Sequence, residues 1–280
     1  MSFMNTKKLV LGLIVLFIFI GSAQANKMTQ MQKVAHASPM PNLMMIVSMN
    51  ASALNLTKEQ QKVFSKLRAN NQPRVKRLVE AIFELEKEIN LSVLNGIKEA
   101  EKDKLKNKLL ELRGKLIDVK YRCIYDVKST LTEEQWKLLM ELYDRASRVA
   151  VSGNREGNEI QAFLRVSPMP KLMAIVLMHK KALQLTEEQN KRLEGWRLKN
   201  MNRWALLFDQ VLSTEKKITQ QSLAMKSSSH LMKEFNEMAE KRRIMAQMSL
   251  DCRDNMRKVL SDKQWEKVVA LFNGYMSSSR

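Results

Sequence analysis

The amino-acid sequence predicts an all-α protein that contains one helical module twice. Helix breakers are sparse, with 8 Gly and 5 Pro in 280 residues, and no stretch alternates like a β-hairpin. The Ser-Pro-Met-Pro segment at 38–41 recurs at 167–170 (168 − 39 = 129), and Cys123 recurs as Cys252 at the same offset. Repetition over a domain-sized length indicates a tandem duplication rather than a solenoid.

The N-terminal segment has the pattern of a secretory signal peptide. Lys7 and Lys8 precede an almost wholly apolar run at 9–21, and Ala23-Gln24-Ala25 is a small-x-small cleavage site. The run is shorter than the roughly 20 residues that span a membrane. We therefore expect residues 1–25 to be removed, with an uncleaved anchor as the alternative.

The repeat divides the remaining chain into a first module at 26–150 and a second module at 162–280. Gly and Asn cluster between them and predict a polar linker over 151–161. Apolar residues at steps of three or four predict long amphipathic helices over 97–128 and 226–258. Pro73 suits a first helical turn and predicts a helix that begins there and runs to about Asn95.

Composition and charge restrict the class of partner. Apolar content is 45%, aromatic content is 6%, and the formal net charge is +19, of which +17 (19 − 2) remains without Lys7 and Lys8. An exported protein meets no chromosome, so we expect no nucleic acid. Its acidic partners would be unfolded or acidic envelope proteins, together with peripheral contact to anionic membrane surfaces.

A Leu-[Thr/Ser]-x-x-Gln motif occurs four times and predicts helix starts. The hydroxyl caps the backbone N–H of the third helical residue, and the Gln side chain at that position reaches back to the cap, which closes a capping box. The preceding Leu can staple onto Trp136 or Trp265 in two copies. The motif residues are Leu56, Thr57, Gln60, Leu131, Thr132, Gln135, Leu185, Thr186, Gln189, Leu260, Ser261 and Gln264.

Two such motifs in each module, with their Thr or Ser residues 75 apart (132 − 57 and 261 − 186), resemble the LTxxQ family of periplasmic proteins, which includes the Spy and CpxP chaperones and the ZraP proteins. The resemblance implies two elongated all-α modules of four to five helices each, arranged as a pseudo-two-fold cradle. It also implies a periplasmic stress protein that binds unfolded clients without ATP or a cofactor. A metal-binding sensor accessory protein for copper or zinc is the alternative, and an adaptor for one acidic partner is a third possibility. The chain would be a monomeric pseudo-dimer or a homo-oligomer.

Exposed basic side chains are the expected client contacts, because the charge excess is one-sided. Two pairs among them, Arg74 with Arg203 and Arg113 with Arg242, occupy equivalent positions in the repeat. The candidates are Arg74, Lys76, Arg77, Arg113, Arg122, Arg203, Arg242 and Arg243.

Methionines near each first motif are candidates for a soft Cu(I) site, because thioethers are ligands of that ion. The candidates are Met40, Met44, Met169 and Met173. The alternative is that these adaptable side chains form a core or a client-contact surface. Histidines are too few and too scattered to predict a zinc site. No phosphate loop or nucleophile motif is present in the sequence, so we expect no enzyme activity.

The cysteines occupy equivalent positions in the two modules. A disulfide between Cys123 and Cys252 is plausible in an oxidising compartment, where equivalent residues can meet near a two-fold axis. Two separate buried thiols are the alternative.

Overall fold

The computed structural model of the protein describes residues 29–96, 98–153 and 155–278. The predicted signal peptide lies outside these residues. Within them, no helix combines the length and apolar character needed to cross a membrane.

The described residues form ten α-helices and no strands, which confirms the all-α prediction. The first half of the chain contains α1 to α5 and the second half contains α6 to α10. The helices are α1 Gln30–Ala37, α2 Leu43–Met49, α3 Lys58–Asn95, α4 Glu99–Thr130, α5 Glu133–Gly153, α6 Arg155–Val166, α7 Leu172–Met178, α8 Glu187–Leu223, α9 Ser228–Val259 and α10 Asp262–Ser278. The starts of α2, α3, α4 and α5 recur 129 residues later as the starts of α7, α8, α9 and α10.

Two long helical hairpins dominate the packing, α3 against α4 and α8 against α9. In the first half α2 packs on α4 and α5, and in the second half α7 packs on α9 and α10. The halves meet where α4 contacts α9 and α1 contacts α6. One core cluster includes Ile117 and Ile124 of the first half together with Val211 and Met238 of the second. The halves therefore bury apolar surface against each other, which stabilises both.

All four predicted capping boxes form. Thr57 and Thr186 cap α3 and α8 with reciprocal side-chain and backbone hydrogen bonds to the motif glutamines. The same pair of bonds links Thr132 with Gln135. It also links Ser261 with Gln264. The four helix starts are thus fixed by local sequence.

The motif glutamines also join the two motifs of each half. Local capping does not predict this contact. Gln60 Nε2 donates to Gln135 Oε1 at 2.8 Å, and Gln135 Nε2 donates back to Gln60 Oε1 at 3.1 Å. Gln60 Nε2 also donates to the carbonyl of Thr130, and Gln135 Nε2 donates to the carbonyl of Leu54. The glutamine pair therefore holds the start of α3 against the end of α4 and the start of α5.

The second half repeats this arrangement at the equivalent positions. Gln189 and Gln264 exchange amide hydrogen bonds of 2.9 and 3.1 Å. Their remaining amide hydrogens reach the carbonyls of Val259 and Leu183. The spacing of 75 residues between paired glutamines is the length of chain needed to leave along one helix of a hairpin and return along the other.

The tryptophan that follows the second motif of each half lies under a basic side chain from the preceding long helix. Leu260 and Trp265 belong to one core cluster, as the staple predicts. Lys128 lies 5.3 Å from the centroid of the Trp136 ring, and Arg257 lies 5.3 Å from that of Trp265. These cation–π contacts add to the fixing of the α4–α5 and α9–α10 corners.

Two predictions about local structure are wrong. Pro73 lies inside α3, which starts at Lys58. It is tolerated because the surrounding stretch is largely exposed, so the Ala69 carbonyl that loses its intrahelical donor can be hydrated. The linker predicted over 151–161 is helical on both sides of residue 154, since α5 continues to Gly153 and α6 begins at Arg155. Packing of α6 on α1 and α8 outweighs the weak helix propensity of Gly and Asn.

The predicted disulfide is absent, and both cysteines are free. Cys123 packs against the cluster shared by the two halves, whereas Cys252 lies in a cluster around α7 and α10. Burial raises the pKa of the Cys123 thiol to about 11 and that of Cys252 to about 12. The two cysteines are separate buried thiols, which was the alternative to the disulfide.

We expect thiol titration of the unfolded, unreduced protein to give two thiols per chain. In the native protein alkylation at pH 8 should be slow for both, because thiolates are the reactive form and burial disfavours them. Recovery of a linked Cys123–Cys252 peptide from a non-reducing digest would contradict this.

We expect Gln135→Ala to lower the free energy of unfolding by about 1–3 kcal/mol, because it removes half of a capping box and the link to α3. The double variant with Gln60→Ala should cost less than the two single changes together, since both remove the same bond. Urea unfolding measures these values, and Gln72→Ala on the exposed face of α3 is the control. Additive costs would show that the two glutamines are not coupled.

Candidate functional site

A buried ionic cluster lies where α1, α3 and α4 meet. The carboxylate of Glu86 on α3 accepts from Arg113 Nη2 on α4 at 2.5 Å and lies 2.8 Å from His36 Nε2 on α1. All three side chains are buried. A buried carboxylate needs such partners because loss of hydration is costly.

An equivalent cluster lies in the second half, on α6, α8 and α9. Glu215 accepts from Arg242 Nη2 at 2.5 Å, and Arg165 Nε and Nη2 both donate to its carboxylate, at 3.0 and 2.8 Å. Each member occupies the position 129 residues after its counterpart (215 − 86, 242 − 113 and 165 − 36). The clusters differ only in that Arg165 stands where the first half has His36.

The two clusters touch and act on each other. Arg113 Nη1 donates to the backbone carbonyl of Arg165 at 3.3 Å, which bridges the halves. Burial alone would raise the pKa of Glu86, but the charges of His36 and Arg113 outweigh it and lower that pKa to about 2. Burial and the neighbouring Arg113 lower the pKa of Arg242 to about 9, against the opposing effect of Glu215.

This cluster corrects the prediction that Arg113 and Arg242 contact clients, because both are buried ion-pair partners. A sequence signal was available: Glu86 and Glu215 occupy positions on the apolar stripes of α3 and α8, and they recur at the repeat offset. A charge in the same apolar position of both copies indicates a buried pair rather than a surface site.

The Ser-Pro-Met-Pro segments connect the halves reciprocally. The carbonyl of Pro39 accepts from Thr219 Oγ1 on α8 at 2.7 Å, and the carbonyl of Pro168 accepts from Asn90 Nδ2 on α3 at 3.0 Å. Thr219 and Asn90 are equivalent positions in the repeat (219 − 90 = 129). Each segment therefore docks on the first long helix of the opposite half.

A groove of about 660 Å³ lies between α4 and α9. Its floor is apolar and includes Leu110, Phe235 and Ala239, which are largely buried. Gly114 leaves room for the floor, because a Cβ there would lie 3.2 Å from Phe235 Cε1. The rim carries the basic residues Arg74, Lys115 and Arg243 and the acidic residues Glu111 and Asp118. The groove thus combines apolar contact with mixed charge that is mainly positive.

Six of the predicted client contacts are exposed: Arg74, Lys76, Arg77, Arg122, Arg203 and Arg243. The groove brings together Arg74 and Arg243, from α3 and α9. Lys76, Arg122 and Arg243 each lie in an exposed ion pair, with Glu80, Asp118 and Glu240 respectively. The groove could not be predicted from the sequence, because the apolar floor of the groove comes from two helices that lie more than 100 residues apart in the chain.

The methionine candidates for Cu(I) do not meet at one place. Met40 and Met44 lie in the core cluster shared by the halves, Met169 lies in the cluster around α3 and α4, and Met173 packs beside α10. Among the described residues, no group of three or more His, Cys, Asp or Glu side chains is arranged to hold a metal ion. These methionines contribute to the apolar core, as their alternative interpretation expected.

No family model, curated protein or solved structure matches this chain. The resemblance to the LTxxQ family therefore remains a prediction from the four motifs.

We expect Glu86→Gln to lower the free energy of unfolding by about 3–5 kcal/mol, because Arg113 then stays buried without its anion. Thermal or urea unfolding at pH 7 measures the cost. Glu84→Gln is the matched control, since Glu84 lies on the same helix in an exposed ion pair with Lys87. A cost no larger than that of the control would contradict the role of the cluster.

The pH dependence follows from the lowered pKa of Glu86. With an ordinary value of 4.5 and a folded value of about 2, the Glu86 carboxylate stabilises the folded state above about pH 4.5. That contribution is lost as the pH falls towards 2. We expect Glu86→Gln to lose less stability than the wild type between pH 5 and 2, measured by urea unfolding at each pH. An unchanged slope would contradict this.

Proposed function

We propose that this protein is a periplasmic, ATP-independent chaperone of the LTxxQ type that binds unfolded or misfolded envelope proteins. The four motifs support this family, because each one forms a capping box and the glutamines of each half are paired. The sequence of residues 1–25 supports export. Client binding without nucleotide is what the resemblance implies.

We further propose that the chain is a tandem duplication that supplies both halves of a pseudo-two-fold cradle. The matching helix starts, the two equivalent ionic clusters and the reciprocal Pro39 and Pro168 contacts support this arrangement. Equivalent residues that face each other across a junction are the mark of a two-fold interface. In this chain the two partners would be covalently joined.

The groove between α4 and α9 is the observation that carries the client-binding proposal. Leu110, Phe235 and Met232 offer apolar contact, and Met is suited to partners of varied shape. Arg74 and Arg243 would attract acidic segments of a client. Residues from equivalent positions, Asn107 with Asn236 and Leu110 with Ala239, line this groove together, as expected for a groove on the pseudo-two-fold axis.

We expect the protein at stoichiometric amounts to suppress aggregation of a chemically denatured client without nucleotide, measured by light scattering. The Arg74→Gln/Arg243→Gln variant should need several-fold more protein for the same suppression, because the rim loses its attraction for acidic segments. Suppression should also weaken as salt is raised, since the charges are exposed.

The matched control is Arg145→Gln/Arg192→Gln, which removes the same charge from exposed positions on α5 and α8. Equal losses in both variants would mean that net charge acts rather than the groove. Aggregation that proceeds unchanged with the wild-type protein would overturn the chaperone proposal.

A further inference from the structure

A second cavity, of about 370 Å³, lies away from the α4–α9 groove. It forms where the segment between α1 and α2 crosses α8 of the opposite half. Five consecutive residues, Ser38 to Asn42, line one wall, and α8 contributes another through residues such as Leu212 and Thr219. The cavity falls within the size range of small-molecule sites.

Lys120 on α4 lines this cavity and is only 6% exposed. Its ammonium donates to the carbonyl of Met40 at 2.5 Å, and its contacts in the described residues include no carboxylate. An ammonium group has three donors, so one carbonyl leaves it incompletely satisfied. A buried cation of this kind is costly unless an anion accompanies it.

The remaining lining favours an anion with an apolar body. Arg165 and Lys216 bring two further positive charges, while Glu215 is the acidic residue of the lining and is already paired with Arg165 and Arg242. Tyr143 belongs to the same lining. The apolar part of the lining includes Met31, Val34 and Leu212.

We infer that this cavity binds a small carboxylate ligand with a short apolar chain, its carboxylate on Lys120 and its chain against the apolar wall. Such chemistry occurs in a free medium-chain acid and in the C-terminal carboxylate of a peptide. The site is separate from the groove proposed for clients and does not depend on it.

The equivalent positions of the second half carry different polar residues. Residue Ser249 stands where Lys120 does (249 − 120 = 129), and Phe272 stands where Tyr143 does. Phe163 stands where Val34 does and places an aromatic ring where the first half has the smaller valine side chain. Lys171, at the position equivalent to Asn42, is a lysine of the second half, but its ammonium donates to the carbonyl of Ser167 and lies over the Phe163 ring. The combination of Lys120 with Tyr143 is therefore confined to the first half.

Binding of a carboxylate beside Lys120 should be accompanied by proton uptake. Burial lowers the pKa of Lys120 to about 8, with a small opposing effect from Cys123. A carboxylate beside the ammonium favours its charged form and raises the pKa, so binding near pH 8 should be accompanied by proton uptake of about half a proton. Uptake should fall at pH 6.5, where the lysine is already charged.

The test is isothermal titration of sodium octanoate into the full mature protein at pH 8, in two buffers of different ionisation enthalpy. We expect saturable 1:1 binding with net proton uptake. Lys120→Met should weaken binding at least tenfold and abolish the uptake. Lys108→Met, at an exposed lysine of the same helix, should change neither. Leu212→Trp, which places a larger side chain in the apolar part of the cavity, should also abolish binding. This variant is the test if Lys120→Met does not fold. Circular dichroism reports folding of each variant.

A second series separates the two sources of the carboxylate. The probes are an apolar heptapeptide with a free C-terminus and the same peptide with a C-terminal amide. If peptides are the ligand, the free acid should bind and the amide should not. If a free fatty acid is the ligand, octanoate should bind and neither peptide should. Octanoate binding should survive in Arg74→Gln/Arg243→Gln, which places it outside the client groove. No saturable binding of octanoate or peptide, or equal binding by Lys120→Met, would overturn the inference while leaving the chaperone proposal untouched.

Discussion

The buried carboxylates of Glu86 and Glu215 impose the constraint on which the arrangement of helices depends. Each carboxylate meets an arginine from the next long helix and a second side chain, His36 or Arg165, from the short helix that begins its half, so three helices are fixed at one point. Arg113 then reaches the backbone of Arg165 and brings the two points together. Buried ion pairs add little net stability compared with apolar packing, but breaking one is costly, so they favour one register over its alternatives.

The glutamine pairs fix the chain at the ends of the hairpins. A helix start, a helix end and a turn each leave backbone groups without intrahelical partners. Gln60 and Gln135 satisfy such groups from all three and also bond to each other, as do Gln189 and Gln264. The ionic clusters thus fix the position of the helices relative to each other, and the glutamines fix their ends.

The surfaces left by this scaffold differ between the two halves. The groove between α4 and α9 draws on both halves through equivalent residues. The cavity beside Lys120 draws on a lysine and a tyrosine that the second half lacks. The two halves can share one scaffold and still differ at these positions, because the capping boxes and ionic clusters do not involve Lys120 or Tyr143.

Local sequence by itself determined the helical class and the starts of the four helices that carry the predicted capping boxes. A capping box needs only residues three positions apart, and the apolar periodicity needs only one helix face. It also located the repeat. Tertiary structure decided what local pattern could not: that Arg113 and Arg242 are buried, that α3 continues through Pro73, that α6 forms in place of a linker and that the cysteines stay apart. Each of these depends on which helices pack together, since burial, hydration and the distance between two side chains are properties of the assembled chain and not of any segment within it.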